Sequence, residues 1–422
     1  MLATLLLCAT AFAQGIVIEV PGSADVPIAA PKPMVPSPFA EADEVWSTMW
    51  SDFDQSGFFK LQDPAGYLEK GKGVEPGTFE FQPWTTIKSS VLVKTRSYPP
   101  GHSACDASGA HMCTDAYVYY VPTGETLMKQ RFKGAPGDAR HIGHHIANAV
   151  LEAATGKAGV FGARLAAVNS QGGNKEIKLV DLDGKGVAPV TRNGAINLSP
   201  AWSPDGGSIA WTSYKKANPD LYVKDLGTGR TRVISNVRGV NTSPAFSPDG
   251  SKIAFARSDN GDSDIYEADA RTGKILRQVT KGGGIDISPV YLPDGSGMLF
   301  ASERGGGSQV YLQPNRGEAK RVSVVGDFNI DPVVNPDGTR VAWVGRSQGG
   351  FDIFVADLDG RNPIRITQDT GDNEDPTWSP DGQYLVFSST RAGGSNLWVS
   401  TADGRHQRQI TRGGGWTQPT FR

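Results

Sequence analysis

Four side chains able to hold a metal crowd one short stretch, "HSACDASGAHMCTD", where His102, Cys105, His111 and Cys113 stand close together. Thiolate and imidazole are the usual zinc donors, so a metal site is one reading, although the spacing fits no established zinc motif. A disulfide between Cys105 and Cys113 is the reading favoured in an oxidising compartment, and a pair of free thiols is the third. A second group, His141, His144 and His145, lies in "DARHIGHHIANAVLEAATG". His141 and His145 are four residues apart and share a helix face, as a chelating pair would. No glutamate completes an H-E-x-x-H arrangement, so packing and contacts between elements are the expected role. The chain has no G-x-S-x-G elbow, no P-loop, and no G-x-G-x-x-G between a strand and a helix. Neither an enzyme, a metal centre nor a cofactor is expected. A formal net charge of −2 offers nothing to a nucleic-acid polyanion.

The elements that position these residues follow from composition and pattern. The opening "MLATLLLCATAFAQG" has an apolar run and then Ala11-Phe12-Ala13, the small-x-small pattern of a cleavage site, so residues 1–13 read as an export signal. Leu7 precedes Cys8 where a lipidated cysteine requires a small residue. A membrane span needs about 20 apolar residues, and no later stretch supplies them, so an exported, soluble chain is expected. Residues 14–38, "QGIVIEVPGSADVPIAAPKPMVPSP", read as an extended strip and Pro-rich linker without a core of its own. Such a strip can add itself as an edge strand to a partner or to its own domain, or stay a disordered end. Residues 39–158 mix periods of 3.6 and 2. "FAEADEVWSTMWSDF" and "DARHIGHHIANAVLEAATG" read as helices, the latter capped by Asp138 and ended by Gly156. "FFKLQD", "TTIKSSVLVKTRSY", "DAYVYYV" and "ETLMKQRF" read as strands, the last two a hairpin about Pro122-Thr123-Gly124. This is a small α/β domain.

From residue 159 to residue 422 one phrase recurs. "SPAWSPDGGSIAW" returns as "SPAFSPDGSKIAF", and its first proline falls at Pro200, Pro244, Pro289, Pro332, Pro376 and Pro419. A repeat of 43–45 residues made of short strands is the mark of a β-propeller with four strands per blade. The Pro-Asp-Gly turns at Asp205, Asp249, Asp294, Asp337 and Asp381 are structural, since Gly takes positive φ and Asp bonds its own backbone. "RLAAVNSQGGNKEIKLVDLDGKGVAPVT" supplies three strands without an inner one, and "TQPTFR" at the end supplies an inner strand alone. The two ends must share a blade. The fold class is therefore an N-terminal small α/β domain followed by an all-β six-bladed β-propeller, closed by the C-terminal strand so that no edge is left open.

Export signal, strand-forming end, α/β domain and "SPDG" blades, in that order, resemble the TolB family, the periplasmic components of the Tol-Pal system. The junction "RHIGHHIANAVLEAATGKAGVFGARLAAV" is similar to the family's pattern at His144, Thr155-Gly156, Phe161 and Arg164. The cysteine loop at residues 101–114 looks like an insertion, and Asn148 stands where the family usually has an acid. The resemblance implies a periplasmic adaptor, monomeric before it joins a complex, that supports outer-membrane integrity and invagination at division. It would bind the peptidoglycan-associated lipoprotein Pal through the propeller and TolA through Ile16, Val17, Ile18 and Glu19. In a four-stranded blade, the links from an outer strand to the next inner strand emerge together on one face. They carry Asn197, Asn241, Thr242, Asp286, Asn329, Asp331, Glu374 and Asp375, the candidates for Pal. No carboxylate spacing there makes a calcium loop. A glycan- or peptidoglycan-binding propeller outside the Tol system is the alternative.

Overall fold

The computed structural model describes residues 25–69, 73–258, 261–347, 349–368 and 371–422. The expected export signal and the residues Ile16 to Glu19 lie outside this set. Two compact units divide the chain, Met1–Phe161 and Gly162–Arg422. Among the described residues no helix is long and apolar enough to cross a membrane.

The first unit is built on a sheet of order β2-β1-β3-β4-β5, with β1 at Val26–Ala29, β2 at Phe59–Leu61, β3 at Val91–Tyr98, β4 at Met112–Tyr120 and β5 at Glu125–Gly134. Helices α1 (Ala40–Gln55) and α3 (Ala139–Thr155) cover one face, where Val45, Met49, Phe53, Ile142, Ile146 and Val150 meet Val91 and Val93. Leu92, pointing the other way as strand alternation requires, joins Tyr67, Phe79, Tyr119 and Trp84 of the short helix α2 (Gln82–Thr86).

One expectation fails here. Part of the strip at residues 14–38 is not a linker: Val26–Ala29 is a central strand, parallel to β2 on one side and β3 on the other. Its Pro27 disguised it, because a proline argues against a central strand. Pro27 needs no N–H in this position; its carbonyl accepts from Ser90 N at 2.8 Å, while Val26 N donates to Phe58 O at 2.9 Å. Val26 and Ile28 then reach the helix-side core and Ala29 the opposite one, so four residues serve both layers.

Helix α3 ends on Gly156 in the left-handed conformation, with φ 73°. Asp138 stands at its N-cap but turns its carboxylate back to accept from Ala135 N at 3.2 Å, completing the turn before the helix instead of capping it. A Cβ on Gly143 would lie 2.7 Å from both Thr48 Cβ and Val45 O, so the glycine sets how closely α1 and α3 cross. Asn148 donates Nδ2 to Phe161 O at 3.0 Å and accepts Phe161 N at 2.9 Å. A carboxylate could accept but not donate, so the amide here closes both bonds.

Among the described residues the second unit holds six four-stranded sheets. Inner strands run Asn197–Trp202, Asn241–Phe246, Asp286–Tyr291, Asn329–Val334, Asn373–Trp378 and Trp416–Phe421, heading blades 2, 3, 4, 5, 6 and 1. In blade 1 the C-terminal strand pairs antiparallel with Arg164–Gln171, Trp416 opposite Asn169 and Phe421 opposite Leu165. The turns hold as their chemistry requires. Ser203 Oγ donates to Asp205 at 2.5 Å and Ser247 Oγ to Asp249 at 2.6 Å, while Gly207 N and Ser251 N donate to the same carboxylates. These bonds pull Asp205 below the usual carboxylate range and Asp249 to about 2, and Ser296, through its N–H and Oγ, lowers Asp294 in the same way.

Candidate partner-binding face of the propeller

Each inner strand is kinked at its third residue, immediately before the repeated proline. Ser199, Ser243, Ser288, Asp331, Asp375 and Gln418 all take left-handed backbone, with φ between 50° and 55°. Non-glycine residues rarely occupy this region, and six occurrences at one repeat position are a feature of the fold. Strand pairing skips here in every blade, for example between Thr242 and Ala245 and between Glu374 and Thr377. The bulge re-aims the side chain, and all six residues line a central cavity of about 310 Å³.

Inside it the side chains bridge neighbouring blades. Ser199 N donates to Gln418 Oε1 at 2.8 Å, Gln418 N to Asp375 Oδ2 at 3.0 Å, and Ser288 Oγ to Asp331 Oδ1 at 2.6 Å. Burial, and then the charge of Asp375, push Asp331 up to about 6. Burial also raises Asp375, and burial followed by the charges of Asp375, Asp372 and Asp331 pushes Glu374 up to about 7. Asp331 and Asp375 thus sit in a poorly solvated recess, with Glu374 near enough to feel both charges, so full ionisation of the three is costly.

Of the residues singled out in the sequence, Asp331 and Asp375 line this recess, and Glu374 lies near enough to feel their charges. Thr242, in the inner strand of blade 3, is half-buried and accepts from Thr212 Oγ1 at 3.2 Å. Asn197, Asn241, Asp286 and Asn329 do not face a partner: each is 0–1% exposed. Their amides tie strand ends, as when Asn197 Oδ1 accepts from Trp211 Nε1 at 3.1 Å and Asn329 Oδ1 from Trp343 Nε1 at 2.7 Å. The repeat register carries a signal for the channel residues, namely the residue before each recurring proline. The rim has no such repeat signal. Ile196, Val237, Ile285, Val324 and Val325, in the links that enter the inner strands, are exposed large hydrophobics, and Tyr214 at the end of a second strand is another.

The other chemistry-bearing groups are committed locally. Cys105 and Cys113 are joined in a disulfide, their Cα atoms 5.6 Å apart. His111 Nδ1 meets Asp106 Oδ2 at 2.5 Å, and His102 Nδ1 accepts from Ala104 N at 3.1 Å. His144 Nδ1 lies 2.7 Å from the buried Asp52 carboxylate, whereas His141 and His145 are exposed. Among the described residues no group of three or more His, Cys, Asp or Glu side chains is placed to hold a metal ion.

Fold and face together define a propeller protein that carries a small α/β unit ahead of its blades and offers, on one end, an apolar rim around a polar recess. Residues 14–107 match the TolB amino-terminal domain, and residues 151–421 match the TolB beta propeller domain. The Tol-Pal system protein TolB of Desulfosudis oleivorans is 33% identical over 245 residues, covering 55% of this chain and 53% of that protein. Its counterpart in Xanthomonas campestris pv. campestris is 31% identical over 246 residues, covering 56% and 53%. The chain spans about half the length of these curated relatives. The crystal structure of TolB from Acinetobacter baumannii is similar over 94% of this chain and 96% of that one, with a TM-score of 0.83 at 25% identity. The chain belongs to the TolB family.

Proposed function

We propose that this protein is a non-catalytic periplasmic adaptor of the Tol-Pal system, which receives Pal on the rim and recess of the propeller and TolA on the strip Ile16 to Glu19. In this reading it links the outer membrane to the inner-membrane machinery, preserving envelope integrity and drawing the outer membrane inward at division. The observation that carries the Pal half is the recurrence of exposed apolar residues, Ile196, Val237, Ile285, Val324 and Val325, in the links that enter the inner strands. Apolar side chains ringing a polar floor suit a protein partner that inserts a segment into the recess. Asp331, Glu374 and Asp375 would then meet donor groups of that segment. The TolA half rests on the alternating pattern of Ile16 to Val20, suited to strand addition.

Calorimetric titration of the chain from Gln14 with the soluble domain of Pal from the same organism tests the first half. Saturable one-to-one binding, weakened about tenfold or more by Val324→Asp, is the expected result. An unchanged affinity for that variant would remove the rim from the interface, and no binding at all would turn attention to peptidoglycan and other glycans. Deleting residues 14–20 should abolish TolA binding and leave Pal binding intact.

A further inference from the structure

In blades 2, 5 and 6 the first side chain of the inner strand latches onto the preceding blade. In blade 5, Asn329 Nδ2 donates to Gln309 Oε1 of the preceding blade at 2.9 Å and to Val325 O in its own link at 2.8 Å. In blade 6, Asn373 Nδ2 donates to Asp352 Oδ1 at 3.2 Å, to Phe351 O at 3.4 Å and to Gly371 O at 3.0 Å. In blade 2, Asn197 Nδ2 reaches Glu176 Oε2 at 3.2 Å. The donor is a primary amide each time, and the groups it meets are acceptors.

Blade 4 has Asp286 in this place, and its counterpart on the preceding blade is Asp264. Asp286 is wholly buried, and its backbone N donates to Ser263 O at 2.7 Å, which brings it beside Asp264. The orientation of its carboxylate follows from blade 6. Arg304 Nη2 donates to Asp286 Oδ2 at 2.9 Å, just as Arg391 Nη2 donates to Asn373 Oδ1 at 2.7 Å. Both arginines are steadied alike, through Nε on Ser302 Oγ at 2.8 Å and on Ser389 Oγ at 2.9 Å. Asp286 Oδ1 therefore corresponds to Asn373 Nδ2. It has no hydrogen-bond partner among the described residues. The groups corresponding to the acceptors of Asn373 are the Asp264 carboxylate and the carbonyls of Ser263 and Gly284, so an oxygen that needs a positive partner faces other oxygens.

We infer that the latch between blades 3 and 4 is a binding site for a hard cation, calcium by its chemistry, held by Asp286 Oδ1, the Asp264 carboxylate and the adjoining backbone carbonyls. Calcium takes six to eight oxygen ligands, a mixture of carboxylates, carbonyls and water. Asp264 is only partly buried, so water reaches the site and completes the shell. Arg304 is committed to Asp286 Oδ2, and Arg257 stands opposite Asp264 across the strand pair, so Asp286 Oδ1 is the buried charge-bearing oxygen left for the ion. The remaining partners of Asp264 are Gln278 Nε2 at 2.9 Å, Gly282 N at 3.2 Å and Thr280 Oγ1 at 3.4 Å, none of them cationic. The charge of Asp286, after burial, raises the proton affinity of Asp264, as a cation-free pair of carboxylates would. The link itself, Gly282-Gly283-Gly284, has positive φ throughout, and Gly283 and Gly284 lie close over Arg304 and Glu303, a backbone free to turn its carbonyls inward.

Thermal unfolding of the whole chain, stripped with EDTA and titrated with calcium chloride near neutral pH, tests this. The melting temperature should rise by about 5 °C at saturation. Asp286→Asn restores the amide of the sister blades, so it should melt above the wild type in EDTA and lose the calcium response. Asp264→Asn should lose the response as well. An unresponsive wild type overturns the proposal, and if its stability instead rises only on acidification the two carboxylates share a proton. Retention of the full response by Asp286→Asn also overturns it, locating the ion elsewhere, such as the channel carboxylates Asp331 and Asp375.

Discussion

Deleting Gln418–Arg422 should unfold the propeller at a far lower temperature while leaving its other five blades unaltered in sequence. The segment carries Phe421, 8% exposed, whose burial contributes about 2–3 kcal/mol. It also carries three bonds to neighbouring blades: Ser199 N to Gln418 Oε1 at 2.8 Å, Gln418 N to Asp375 Oδ2 at 3.0 Å, and Trp202 Nε1 to Thr420 O at 3.2 Å. At about 1 kcal/mol each these add about 3 kcal/mol. The sum, on the order of 5 kcal/mol, rivals the whole stability of a small domain. At about 2–4 °C per kcal/mol the propeller transition should fall by on the order of 10–20 °C in differential scanning calorimetry. The exposed edge of Arg164–Gln171 should also make the truncated chain prone to aggregate. A shift within about 3 °C would mean that closure by the C-terminal strand contributes little, and the argument that the ends lock the ring would fail.

The channel carboxylates predict an unusual pH dependence. Folded Asp331 and Glu374 titrate near 6 and 7, against 3.8 and 4.5 for the unconstrained groups, so the folded state holds the extra protons between those values. Stability from these groups is therefore present at low pH and lost as pH rises through about 4 to 7; Asp331→Asn should raise the melting temperature at pH 7.5 and flatten the profile, and an unchanged profile would refute the assignment. In the first unit, Gly143→Ala gains helix propensity of about 1 kcal/mol but forces α1 and α3 apart, for a net loss of about 1–2 kcal/mol in chemical denaturation. A stabilised variant would show that the crossing can relax.

The recurring prolines and Pro-Asp-Gly turns made the blades, their number and their closure legible, because each is a local device: proline restricts φ, glycine takes positive φ, and the aspartate bonds its own turn. The disulfide partners and the polarity of the channel mouth were likewise visible as residue types. Val26–Ala29 was not, since a short strand next to prolines carries no periodicity and is made central only by β2 and β3 closing on it. Nor could Asn197, Asn241 and Asn329 be told from surface residues by type, because an asparagine at a strand end serves solvent, partner or neighbour equally well. The His144–Asp52 pair joins residues from two helices, which no local pattern announces. What the amino-acid order determined alone was the repeat and its turns, set by backbone preferences within a few residues. Tertiary structure decided which side chains face the channel, which vanish into the blades and where Asp286 meets Asp264, because those outcomes depend on bulges and on contacts between blades some forty residues apart in the chain.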